Sequence, residues 1–142
     1  HKLGVKIVIR GSIEKLDNSL KRKIIDAQKK TLNNKSISLV IAFDYGGRNE
    51  IVNTVKEIVK DDIKFSEINE ELFNKYINKD EIPDPDLIIR TGGEYRLSNF
   101  LIWQSAYSEF YTSEVLWPDF TMSDFFDALK SYSLRSRRFG IN

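Results

Sequence analysis

The sequence predicts an α/β protein, a parallel central sheet flanked by helices. Three observations point there. Strand patterns alternate with helix patterns along the chain. The stretch Ile-Ser-Leu-Val-Ile-Ala-Phe from Ile37 to Phe43 is nearly all apolar, as expected of a strand covered on both faces. Polar caps and Gly or Pro breaks punctuate the elements at the positions that strand–helix alternation requires.

The elements follow in order. His1-Lys2-Leu3-Gly4 runs straight into Val5-Lys6-Ile7-Val8-Ile9, a β-branched strand pattern. Leu-Gly before a strand is a common helix ending, so the body of a helix is expected upstream, with a loop Gly as the alternative. Asp17 is the expected N-cap of a helix showing Leu16, Leu20, Ile24 and Ala27 at helical spacing. Lys29 and Lys30 lie toward its negative end, and Asn33-Asn34 close it. After the second strand, Asp44-Tyr45-Gly46-Gly47 turns the chain. The next helix carries Ile51, Val52, Val55, Ile58 and Val59 on one stripe. A short acidic helix is expected from Asn69, with Leu72, Phe73, Tyr76 and Ile77. Pro83-Asp84-Pro85 breaks the chain before a third strand from Asp86 to Arg90. A helix is expected from Ser98 to Tyr107, and a short strand at Val115-Leu116-Trp117, stopped by Pro118. Thr121 and Asp124 have capping-box spacing before a helix with Phe125, Phe126, Leu129 and Tyr132.

Composition narrows the chemistry. With 142 residues, 41% apolar and 30% charged, the chain is long enough for one domain with a real core. No stretch approaches the roughly 18 unbroken apolar residues of a membrane span, and nothing resembles a signal peptide. A net charge of +1 gives no general pull toward nucleic acid or membrane, so anion binding must be local. The absence of Cys excludes disulfides, thiolate zinc sites and a Cys nucleophile, and fits a cytosolic protein. The single His is His1, which leaves no His-based triad.

The stretch Arg90-Thr91-Gly92-Gly93-Glu94-Tyr95-Arg96-Leu97-Ser98-Asn99-Phe100 concentrates the unusual residues. Arg90 would stand at the carboxyl end of its strand, where ligands bind in open α/β sheets. Gly92-Gly93 permits a tight turn. Arg96 and Ser98 would fall at the start of the next helix, where free N–H groups favour an anion. Two guanidinium groups and a hydroxyl suit a diphosphate. The alternative is that Arg90 and Arg96 pair with Glu94 and Asp84 to hold a loop. Glu109, set among Ala106-Tyr107-Ser108 and Phe110-Tyr111, is either one carboxylate ligand for Mg²⁺ or a rim Glu paired with a nearby Arg. The basic tail Arg135-Ser136-Arg137-Arg138-Phe139-Gly140 reads as a solvated helix end, with a nucleic-acid patch as its alternative. Phosphate-loop, dinucleotide and H-E-x-x-H motifs are absent. Asp61-Asp62 lacks the third Asp of an aspartate-rich prenyl motif and reads as a helix end.

Four blocks in order carry a resemblance. Ile41-Ala42-Phe43-Asp44-Tyr45-Gly46-Gly47-Arg48-Asn49-Glu50-Ile51, then Arg90 to Phe100 with Trp103-Gln104 and Glu109, then Val115 to Phe120, then Arg137-Arg138-Phe139-Gly140 resemble the cis-prenyltransferase family, especially bacterial undecaprenyl diphosphate synthases. The resemblance covers nearly the whole chain and implies the C-terminal portion, residues 1–142, of a single prenyltransferase domain. It implies condensation of isopentenyl diphosphate with an allylic prenyl diphosphate, Mg²⁺ dependence, a homodimer, a hydrophobic tunnel and a membrane-associated product. It further implies that Arg90, Arg96, Leu97 and Ser98 hold the isopentenyl diphosphate while Glu94, the candidate catalytic position, orients the arginines. Glu109 would ligate Mg²⁺, Arg138 and Gly140 would reach the site across a dimer interface, and Arg48 would tie its turn to the sheet. Tyr95 stands where many relatives have His. The family's Asp-Gly-Asn-x-Arg block is not in the sequence, so the chain is expected to hold the isopentenyl half-site and not to turn over by itself. A non-catalytic partner subunit is the alternative.

Overall fold

Two parallel ladders organise the chain, in keeping with the strand–helix alternation of the sequence. The structure, a computed structural model, describes residues 2–135. They gather into two compact units that divide between Ile82 and Pro83, at the Pro-Asp-Pro break.

In the first unit β1 (Val5–Gly11) pairs in parallel with β2 (Ile37–Phe43), in the register Val5 to Ile37 through Gly11 to Phe43. The connection is α1 (Asn18–Thr31), which packs on β1. Asp17 caps α1, its Oδ1 accepting from the N–H groups of Ser19 and Leu20 at 2.9 and 3.0 Å. The far end of α1 is tied back to β1. The Ile7 N–H donates to Thr31 Oγ1 at 3.0 Å, and the Asn34 side-chain amide donates to the Val5 carbonyl at 2.7 Å. After β2, α2 (Gly47–Lys60) packs against α3 (Glu70–Ile77), with the Tyr76 hydroxyl donating to Asp61 at the end of α2. Asn69 caps α3 through Leu72 N–H, and Asp61-Asp62 is a helix end, both as the sequence indicated.

In the second unit β3 (Leu87–Thr91) pairs in parallel with β4 (Glu109–Ser113), and α4 (Met122–Ser133) packs on β4. Thr121 and Asp124 form the expected capping box.

Several expectations are corrected. Residues 98–107 form successive turns instead of a helix. Ser98, Asn99 and Leu101 adopt φ of +47°, +65° and +44°, which a right-handed helix excludes. The last strand is Glu109–Ser113, not Val115–Trp117. Ser113 Oγ accepts from the Val115 N–H at 3.2 Å and turns the chain, and Pro118 sits in a one-turn 3₁₀ segment, Trp117–Asp119. β2 is not covered on both faces, since Ile37 is 63% and Leu39 50% exposed. On α2 the inward side chains are Thr54 and Ile58, while Val52, Val55 and Val59 face outward. The buried apolar set is accordingly small, with Val8, Ile58 and Ile77 in the first unit and Ile88 and Ala128 in the second.

Gly11 ends β1 at φ +97°, and a Cβ there would overlap the Phe43 carbonyl oxygen and come within 3.1 Å of the Tyr45 backbone. Gly11→Ala is therefore expected to destabilise the chain by roughly 1–3 kcal/mol, from a strained φ that only Gly adopts freely. An unchanged urea midpoint would contradict this. The Thr121 hydroxyl, followed by its N–H, holds the Asp124 carboxyl below its ordinary value of 3.8. A depressed carboxylate contributes stability that is present above the ordinary value and lost as pH falls through the depressed one. Acidification below about pH 4 should thus narrow the stability difference between wild type and Asp124→Asn. Parallel pH–stability curves for the two would exclude the effect.

Candidate functional site

Arg90 is the fourth residue of β3, opposite Thr112 and one step from the strand's carboxyl end. Buried Ile88, with Leu87 and Ile89 beside it, anchors that strand in the unit. Beyond Thr91, Gly92 and Gly93 turn at φ +87° and +72°, and their N–H groups donate to the carbonyls of Val115 and Ser113, each at 2.9 Å. The glycine pair thus extends the pairing past the ladder while reversing the chain, which a residue with a Cβ would do under strain.

The reversed loop comes back onto Arg90. Its Nη1 donates to Ser98 Oγ at 2.9 Å and, in a shorter contact, to the Arg96 carbonyl oxygen. The Arg96 guanidinium pairs with Glu94 at 2.5 Å, both side chains being largely in solvent. The structure therefore brings Arg90, Glu94, Arg96 and Ser98 into one loop, with half-buried Leu97 between the last two. Of the two arrangements the sequence allowed, the Arg96–Glu94 pairing is the loop-holding one. An exposed pair of this kind contributes little to stability, and its guanidinium remains accessible to another anion. The helix start expected at Ser98 is missing, so no helix dipole acts there. Instead Ser98, Asn99 and Leu101 hold left-handed backbone, a costly conformation that residues other than Gly rarely adopt.

Glu109 stands apart from this cluster. It opens β4 opposite Leu87, three residues back along the ladder from Arg90, or about 10 Å at the usual rise per strand residue. Its Oε2 accepts from Arg135 Nη1 at 2.6 Å, the pairing with a nearby Arg that the sequence left open. Among the described residues no group of three or more His, Asp or Glu could hold a metal. A single carboxylate nonetheless fits Mg²⁺, which takes one or two and fills its shell with water and phosphate oxygens. Arg138 and Gly140 lie outside the described residues.

Sequence reasoning missed the polar network of the first unit. Arg10, next to last in β1, is only 8% exposed and pairs with Glu50 of α2 at 3.6 Å. The Tyr45 hydroxyl donates to the same carboxylate at 2.6 Å. Tyr45 and Glu50 thereby tie the Tyr-Gly-Gly-Arg turn to β1. The signal was Arg10 directly after the apolar run Ile7-Val8-Ile9. These groups, with Asp44, Asn53 and Glu57, line a cavity of about 320 Å³ at the carboxyl ends of β1 and β2.

Known proteins are similar to this chain in sequence and in fold. The isoprenyl transferase of Thermotoga maritima is 51% identical over 138 residues, 96% of this chain and 59% of that protein. A tritrans,polycis-undecaprenyl-diphosphate synthase (geranylgeranyl-diphosphate specific) of Picrophilus torridus is 45% identical over 144 residues, 99% of this chain and 56% of that protein. Among solved structures, lavandulyl diphosphate synthase from Lavandula x intermedia, in complex with dimethylallyl diphosphate, superposes with a TM-score of 0.90 at 33% identity, over 99% of this chain and 62% of that one. The chain thus spans somewhat over half the length of the relatives it matches. The undecaprenyl diphosphate synthase family of prenyltransferases matches residues 1–140, all but the last two, and the chain belongs to that family.

Proposed function

We propose that this chain serves cis-prenyl chain elongation and carries the half-site for isopentenyl diphosphate, as one piece of a single prenyltransferase domain. The observation that carries the reading is the loop closed on Arg90, which gathers Arg96, Ser98 and Glu94 at the carboxyl end of a parallel strand. Arg90 would exchange the Ser98 hydroxyl and the Arg96 carbonyl for phosphate oxygens, which accept two N–H groups from one guanidinium in its plane. Arg96, already exposed, would swing from Glu94 to the second phosphate. Glu94 would hold the free guanidinium in place until the substrate arrives. Ser98 would donate to an oxygen that the arginines leave over. Mg²⁺ supplies charge neutralisation at the departing diphosphate of the allylic partner, and Glu109 is the residue of this chain that would hold it. The exposed apolar side chains of β2, among them Ile37, Leu39 and Ile41, supply wall for a hydrophobic prenyl tunnel. A homodimer, with Arg138 and Gly140 reaching a neighbouring site, and a membrane-associated product follow from the same reading. So does the expectation that the chain by itself does not turn over. No described helix is long and apolar enough to cross a membrane.

A second reading, a non-catalytic partner subunit, draws on the fact that each charged candidate is already engaged. Arg90 is held by Ser98, Arg96 by Glu94 and Glu109 by Arg135. Calorimetric titration of isopentenyl diphosphate with Mg²⁺ separates the two readings. The folded chain is expected to bind, and Arg90→Ala to weaken binding at least tenfold, roughly the effect of one charge-assisted hydrogen bond to a buried phosphate. Equal affinities would remove Arg90 from the site, and no binding by a chain that circular dichroism shows folded would favour the partner subunit. Nucleic acid is expected not to bind even at low salt, where a basic patch binds best.

A further inference from the structure

The ion pair between Glu109 and Arg135 joins two elements that the sequence keeps 26 residues apart. Glu109 opens β4, and Arg135 follows α4, the helix packed on that strand. The backbone winds down at the same point, with the Leu134 N–H donating to the Lys130 carbonyl and the Arg135 N–H to that of Tyr132. The two side chains are 27% and 36% exposed, so a small hydrated ion can reach the carboxylate from solvent. Oε2 faces the guanidinium at 2.6 Å. A hard divalent cation seeks that same negative oxygen, and two positive groups cannot share it without strong repulsion.

We propose that Arg135 is a competitor built into the fold, which must leave Glu109 before a divalent cation can bind there. The inference rests on the reading of Glu109 as a cation ligand. Because coupling between two bound groups is reciprocal, the cation also loosens the end of α4 at Leu134 and Arg135. Arg135 is then a positioning residue that links occupancy of the carboxylate to the docking of the chain's last described residues. A purely structural salt bridge makes the opposite forecast, since its loss would loosen the carboxylate and weaken cation binding.

The test titrates Mn²⁺, as a spectroscopically visible stand-in for Mg²⁺, into the full chain and its Arg135→Gln, Arg135→Lys and Glu109→Gln variants. Free and bound Mn²⁺ are read by electron paramagnetic resonance. Arg135→Gln should tighten binding about two- to fivefold, the effect of removing one partly exposed ion pair that competes for the site. Arg135→Lys should stay near wild type, and Glu109→Gln should lose at least tenfold. Amide exchange of residues 130–135 in the wild-type chain supplies a readout that needs no folded variant. It should accelerate on adding Mg²⁺, and should not in Glu109→Gln. If Glu109→Gln loses the cation while Arg135→Gln binds no more tightly than wild type, the competition is refuted and the ligand reading stands. If Glu109→Gln binds like wild type, or no form binds, the ligand reading fails and the competition with it.

Discussion

The register of β3 against β4 is the constraint on which the second unit depends. A parallel pair cannot be joined by a tight turn, so the chain must travel back the length of the strand before it pairs again. Here that return is a loop without regular structure, pinned at both ends. The Gly92 and Gly93 N–H groups hold one end to the carbonyls after β4. The other end is held where Glu109 N–H donates to the Asp86 carbonyl and the Ser108 hydroxyl to that of Pro85. Between those ends the Arg90 guanidinium braces the loop, reaching Ser98 and the Arg96 carbonyl. One register thus decides both that Arg90 faces the returning loop and that Glu109 sits at the opposite end of the ladder.

Electrostatics in this loop favours exchange of partners over permanent pairing. Arg96 is paired with Glu94 in contact with water, where such a pair contributes little, and Arg90 is held by neutral groups, a hydroxyl and a carbonyl. A doubly charged ligand offering planar, bidentate oxygens can outbid a hydroxyl and a carbonyl without leaving any group buried and unsatisfied. The first unit behaves differently. Its Arg10–Glu50 pair is mostly withdrawn from solvent and also receives Tyr45, an arrangement that resists exchange because losing one partner would strand a buried charge.

Legibility in the sequence followed range. Asp17, Asn69 and the Thr121–Asp124 box were readable because each cap satisfies backbone N–H groups within three residues. The cluster of Arg90, Arg96 and Ser98 was readable because it spans nine residues around two glycines. The Ser98–Tyr107 loop was misread, since nothing in Ser98, Asn99 or Leu101 announces left-handed backbone as Gly would. Arg10–Glu50 was out of reach, and an arginine partner for Glu109 was foreseen without its identity, because these pairs join residues 40 and 26 positions apart through tertiary packing that a periodicity cannot encode. The apolar runs of β2 and α2 were placed on the right elements, but the α2 stripe divides, with Ile58 inward and Val52, Val55 and Val59 outward. What covers them within their own unit was not something the spacing could tell.

That uncovered β2 has a consequence for handling. Among the described residues it pairs with β1 alone. Its sequence, Ile-Ser-Leu-Val-Ile-Ala-Phe, contains no charge, no Pro and no Gly. Natural edge strands are guarded by such interruptions, and uninterrupted segments of this length are the ones that stack into amyloid-like zippers. Those seven residues carry the sequence character of a self-pairing strand, and a lysine at an exposed position such as Leu39 would guard against fibre growth.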